Sequence, residues 1–164
     1  MRNLTKNDAA MLEQLAKLAV WYQGSAFVPC PNQKWLETER QIYQGHHFAA
    51  GELGAMYPTD LMYRTFRDPD KKEEAFTSGK LVLIIDRAEL SSEVALPVWK
   101  FTAVGQEMLQ LISADGDLEQ MMEIGRFFMN SKAKAKVADI VELLPTGQIR
   151  YGNAREVVSP DVKV

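Results

Sequence analysis

The chain has 164 residues, 46% hydrophobic and 25% charged, with 22 acids against 19 bases for a net charge of −3. That mixture excludes a disordered body and favours one domain, which at this length buries roughly 68–70% of its unfolded surface. The mild acidity argues against a dominant nucleic-acid footprint, and the single cysteine, Cys30, excludes an internal disulfide.

One cysteine fits a reducing compartment. The amino terminus shows no apolar signal core, and no apolar run approaches the ~20 residues of a membrane helix. The expectation is a cytoplasmic protein without membrane contact.

Thr5 is placed to cap a helix over residues 6–22, with Asp8 at the capping-box position. Met11, Leu12, Leu15, Leu18, Ala19 and Tyr22 give it one apolar stripe, and Gly24 ends it. Pro29-Cys30-Pro31-Asn32 reads as a turn or extended connection. A second helix is predicted over 33–44, with Trp35, Leu36, Ile42 and Tyr43 inward, while 45–54 carries no clear pattern. A third helix starts at Pro58-Thr59 and runs to Arg67, followed by a charged turn over 68–74.

Strands are predicted over 80–86 and 94–101, and Pro97 marks the second as an edge strand or a bulged one. Thr102 caps a helix with Val104, Met108, Leu111 and Ile112 on one stripe. Asp117 caps another, with Gln120 at the capping-box position and Leu118, Met121, Met122, Gly125, Phe128 and Met129 on one face. Segments 137–144 and 148–151 flank Pro145-Thr146-Gly147 as a hairpin, and the tail after Asn153 is polar enough to fray.

Helix, helix, helix, strand, loop, strand, helix over 6–113 is the order of a winged-helix domain. Phe101-Thr102-Ala103-Val104-Gly105-Gln106-Glu107-Met108 looks like the Leu-Thr-x-x-Gly-x-Glu-Leu junction that follows the wing in such domains, with Phe101 in the usual Leu position. The early Leu4-Thr5-x-x-Asp8-Ala9 helix, the strand-rich middle, this junction and the helix-plus-hairpin together resemble the carboxy-terminal part of the domain of unknown function 2806 family, over residues 4 to about 151. That family's amino-terminal segment is not seen here. The resemblance implies a bacterial or phage source and carries over no catalytic residues.

A winged helix would set its third helix, Thr59 to Arg67, in the DNA major groove. Tyr63, Arg64, Arg67, Lys71 and Lys72 are then the candidate contacts, opposed by Asp60, Asp68, Asp70, Glu73 and Glu74. Lys132, Lys134 and Lys136 form a second basic run, which also reads as a solvated helix end. Met121, Met122, Phe127, Phe128 and Met129 make a helix so widely apolar that it is either core or a self-association face.

His46, His47 and Cys30 are the soft ligands, but no metal spacing joins them, and adjacent histidines point apart. No nucleophile elbow or phosphate loop is present. A histidine brought to Cys30 by the fold is the remaining route to catalysis.

The reading is therefore an α+β domain over 1–153. It has a winged-helix-like core (three helices, two-stranded wing, helix) over 6–113, a helix plus hairpin over 115–151 that extends the wing sheet, and a flexible tail over 154–164. The expected function is a non-enzymatic protein–protein interaction module of bacterial or phage origin, working with a protein partner or as a homodimer, without cofactor. The alternative is a winged-helix DNA-binding regulator.

Overall fold

Thr5 and Asp8 close the expected capping box at the start of α1 (Lys6–Lys17): the Asp8 N–H donates to Thr5 Oγ1 at 3.1 Å and the Thr5 N–H to Asp8 Oδ2 at 3.0 Å. The helix stops five residues before Tyr22. Val20-Trp21-Tyr22 instead forms β1 (Val20–Tyr22), paired antiparallel with β2 (Ser25–Pro29). Gln23 and Gly24 both take positive φ, +50° and +79°, which makes a two-residue primed hairpin turn. Gly24 is thus a hairpin residue rather than a helix stop. A β-branched and aromatic triplet beside it favours the strand.

The computed structural model describes residues 4–63, 73–86 and 94–158. After β2 come α2 (Gln33–Arg40), α3 (Gln44–Glu52), β3 (Met56–Tyr63), β4 (Glu73–Ser78), β5 (Leu81–Asp86), β6 (Val94–Phe101), α4 (Ala103–Gln110), α5 (Leu118–Met129), β7 (Lys134–Leu143) and β8 (Ile149–Glu156). The architecture is α+β. The strands described form one antiparallel sheet in the order β3-β6-β2-β1-β4-β5-β7-β8.

This sheet is larger than the expected wing, and the winged-helix arrangement is not formed. The third helix is replaced by β3 across Thr59 to Tyr63, because those residues pair with Val94 to Val98 of β6. The two expected wing strands, β5 and β6, do not pair with each other: β5 lies between β4 and β7, and β6 between β3 and β2. The single helix expected over 33–44 breaks at Gln41, whose left-handed φ of 56° turns the chain so that buried Ile42 donates its N–H to Leu36 O. The unpatterned 45–54 segment holds α3, which escapes a periodicity reading because only His47 and Ala50 are buried in it.

Pro97 lies in an interior strand, contrary to the expectation of an edge or bulge. Its carbonyl accepts from the Cys30 N–H at 2.8 Å, one residue beyond the end of β2. The missing proline N–H therefore falls where β2 stops, and the ladder loses little. Pro58 sits on β3, one of the two terminal strands of the sheet as described.

Strand alternation sorts the core onto two faces. On the first, α5 lays Met121, Ile124 and Phe128 over Val20, Phe27, Phe76, Leu83, Ile85, Leu96 and Val98. On the second, α1 to α4 cover Ala26 and Val28, while Val82, Ile84 and Ala138 form a smaller cluster with Ile140 and Ile149 of the last hairpin. Leu81 to Ile85 reads as an unbroken apolar run because β5 is buried on both faces.

The hairpin expected after α5 is present and extends the sheet, with its strands longer at the end away from the turn and one residue shorter on each side of it. The first residues of the tail expected to fray from 154 are instead part of the fold. β8 reaches Glu156, Arg155 pairs with Asp139 at 3.1 Å, and Val157 is buried.

Candidate functional site

Where β2 ends, the second face opens into a cleft of about 570 Å³ between α2, α3, β3 and β6. Its floor carries Pro97 and Trp99 of β6 beside Pro58 and Asp60 of β3, with Cys30 at the end of β2. Gln33, Gln44 and Phe48 approach from the helices. Phe48 is 59% exposed although large and apolar. Its ring meets half-buried Trp99 edge-on, with centroids 5.6 Å apart. His47 also stacks on Trp99, with centroids 5.2 Å apart. Phe48 and Trp99 form an aromatic shelf along the cleft, with buried His47 packed behind it.

The fold does bring a histidine to Cys30: His47 Nε2 lies 3.9 Å from its Sγ. Their electrostatics oppose nucleophilic work. Burial pushes the Cys30 thiol up to about 12. Burial also pushes His47 down to about 4, against a partial upward pull from the Tyr43 backbone. His47 is fully buried, and its Nδ1 finds no hydrogen-bond partner among the described residues. An activated pair needs thiolate beside imidazolium; here both groups are held neutral. The two histidines point apart, as adjacent residues should: His46 Nδ1 accepts from the Tyr43 N–H at 3.0 Å, and its ring stacks on Tyr43. Among the described residues no three His, Cys, Asp or Glu side chains converge in a way that would hold a metal.

The cleft is anchored to the rest of the fold by polar contacts from α5. Arg40 forms a two-pronged ion pair with Asp117, Nε to Oδ2 at 2.6 Å and the second nitrogen to Oδ1 at 3.0 Å, while stacking over Trp35. Burial works to raise the Asp117 carboxyl, but Arg40 and the N–H groups of Gln120 and Glu119 together hold it below its ordinary value. Asp117 caps α5 through the Gln120 N–H, as expected. The Gln120 side chain does not return to complete a capping box; buried, it donates to Pro29 O at 3.0 Å, next to Cys30.

Of the residues singled out from the sequence, those that are described lie on β3, on α5 and in the turn and strand that follow it. Tyr63 is the last residue of β3, and Arg64, Arg67, Lys71 and Lys72 lie outside the described residues. Lys132 occupies the turn after α5 with φ of 69°. Lys134 and Lys136 are on β7, where they share a small pocket with Glu73, Asp86 and Glu156. The Lys136 ammonium lies 5.2 Å over the Tyr151 ring, and its pKa is raised by a hydrogen bond to Tyr151 and by the nearby acids. Lys134 and Lys136 are therefore interleaved with carboxylates. Met121 and Phe128 are fully buried against the sheet and have no surface to offer a second copy, while Met122, Phe127 and Met129 are half-buried against the same core.

Trp99 and Phe48 carry no signal in the sequence, and Asp60 appears there only as an acid opposing the basic candidates. An exposed phenylalanine in an unpatterned helix and a tryptophan in a strand signal nothing until both meet over one cleft.

Fold and cleft together define an α+β protein with an eight-stranded antiparallel sheet and an aromatic-lined cleft at one end. A family model, Protein of unknown function (DUF2806), matches residues 1–124, and the chain belongs to that family. The match begins earlier and ends sooner than the resemblance implied: it stops within α5, so β7 and β8 lie beyond it, whereas every cleft residue lies inside it. No curated protein and no solved structure matches the chain.

Proposed function

We propose that the chain is a non-enzymatic protein-interaction module and that the cleft between α2, α3, β3 and β6 is its contact surface. The observation that carries this reading is the pairing of opposite qualities in one place. The chemically reactive side chains, Cys30 and His47, are neutral and largely withdrawn, while a large apolar ring, Phe48, stands exposed over a half-buried tryptophan. Exposed aromatic surface of this kind favours partner contact over chemistry. The DNA-binding alternative depended on a helix over Thr59 to Arg67, and β3 occupies the described part of that segment. Replacing Phe48 with a photo-crosslinking phenylalanine in living cells tests the reading, with Leu111, 88% exposed on α4's end, as control. Discrete protein adducts at position 48 and not at 111 are expected; a self-adduct would identify a homodimer. Adducts at neither position, or equally at both, would sink the proposal.

A further inference from the structure

The cleft borders the β3 edge of the sheet, which has no strand partner on its outer side among the described residues. Pro97 directs its carbonyl to Cys30. By strand alternation, Trp99 directs its backbone groups the same way, toward β2, while Val98 and Lys100 direct theirs toward β3. Their partners on β3 are Thr59 and Tyr57. Pro58 and Asp60, in the opposite phase, therefore present their backbone groups to the outside: both offer a carbonyl, and Asp60 also an N–H, since proline has none. The same two residues line the cleft with Trp99 and Pro97. A strand added along β3 at Asp60 would thus lay alternate side chains across the aromatic shelf.

Among the described lining residues Asp60 carries the only charge, since the Cys30 thiol stays protonated at neutral pH. A side chain crossing Trp99 toward Asp60 fits best if it has an apolar stem and a cationic head. Resting on the reading of this cleft as a protein contact, we infer that its occupant is an extended cationic segment of another protein. The segment adds as a strand to β3, with one Lys or Arg lying over Trp99 and its charge at Asp60. A second copy pairing through its own β3 would bring another Asp60 carboxylate and another Pro58 without a donor, so the edge disfavours self-pairing.

The test is an amide NMR titration with two end-blocked ten-residue peptides of alternating Thr and Val, one with Arg at its centre and one with Glu. The Arg peptide is expected to shift the Asp60 amide and the Trp99 indole saturably, and to bind about tenfold tighter than the Glu peptide at low salt. Asp60→Lys, an exposed change that should leave the rest of the spectrum in place, is expected to reverse the preference. Equal affinity for the two peptides, no binding of either, or shifts confined to the β8 edge would overturn the inference. Adducts at position 48 alongside such a result would leave the interaction reading standing and discard only this occupant; loss of those adducts would discard both.

Discussion

The Cα of Gly105 packs directly against the backbone carbonyl of Ala55, so closely that a Cβ there would overlap the carbonyl oxygen. Thr102, three residues earlier, donates its hydroxyl to Gly54 O at 2.6 Å and its N–H to Ala55 O at 2.9 Å, while accepting the Gly105 N–H to cap α4. The Thr-x-x-Gly spacing thus joins the start of α4 to the turn that launches β3, the strand at the cleft's outer wall.

Gly105→Ala is expected to destabilise the protein by about 1–3 kcal/mol, because the obstructing atom is backbone and cannot swing away. Urea unfolding measures it. A loss below about 0.5 kcal/mol, within the range of ordinary surface changes, would show that the Ala55 turn yields.

Gln23→Asn is expected to stabilise by a few tenths of a kcal/mol. Asn tolerates the positive φ that Gln23 must adopt in the β1–β2 turn, and Asn-Gly suits this turn type. A fall in the unfolding midpoint would contradict the turn geometry.

Asp117→Asn leaves the cap of α5 largely in place but removes the charge that holds Arg40. The expected cost is about 1–2 kcal/mol at pH 7 for the lost charge-assisted hydrogen bonds. Because the Asp117 pKa is depressed on folding, its contribution is present above the ordinary carboxylate pKa and is lost as pH falls through the folded value. The gap between native and variant should therefore narrow in acid.

His47 titrates the other way about for a histidine that gains a partner. Its folded pKa is about 4 against 6.5 when free, so below 6.5 the unfolded chain takes the proton and the folded chain does not. Stability is expected to fall between pH 6.5 and 4 by up to about 3 kcal/mol. His47→Leu should flatten that part of the profile; an unchanged slope in the variant would show that His47 is not its source.

Cys30 is expected to resist iodoacetamide at pH 8 in the folded protein and to react once unfolded, since burial holds its thiol near 12. Labelling followed by mass spectrometry at increasing urea reads this directly. Fast labelling without urea would mean that the end of β2 opens readily.

Local chemistry was legible in the sequence wherever one short segment decides the outcome. Thr5, Thr102 and Asp117 cap their helices as the residue types demand, since a cap needs only a side-chain oxygen and an N–H three residues on. β5 and the last hairpin were likewise readable, one from an apolar run and the other from its turn residues. β1 was absorbed into α1 because Leu18, Ala19 and Tyr22 continue the helical stripe by coincidence, while the preference of Val20 to Tyr22 for a strand is realised only against β2 and β4. β3 is hidden from a local reading for the same reason: Leu61 is packed against the core by pairing with Leu96, thirty-five residues away. Strand pairing is a long-range choice, and a sequence window cannot contain both partners. The cleft depends on that choice entirely. Cys30 just past β2, Phe48 on α3, Asp60 on β3 and Trp99 on β6 come from four separate stretches of chain, and only the order of strands in the sheet brings a sheet edge, an aromatic shelf and a carboxylate to one place.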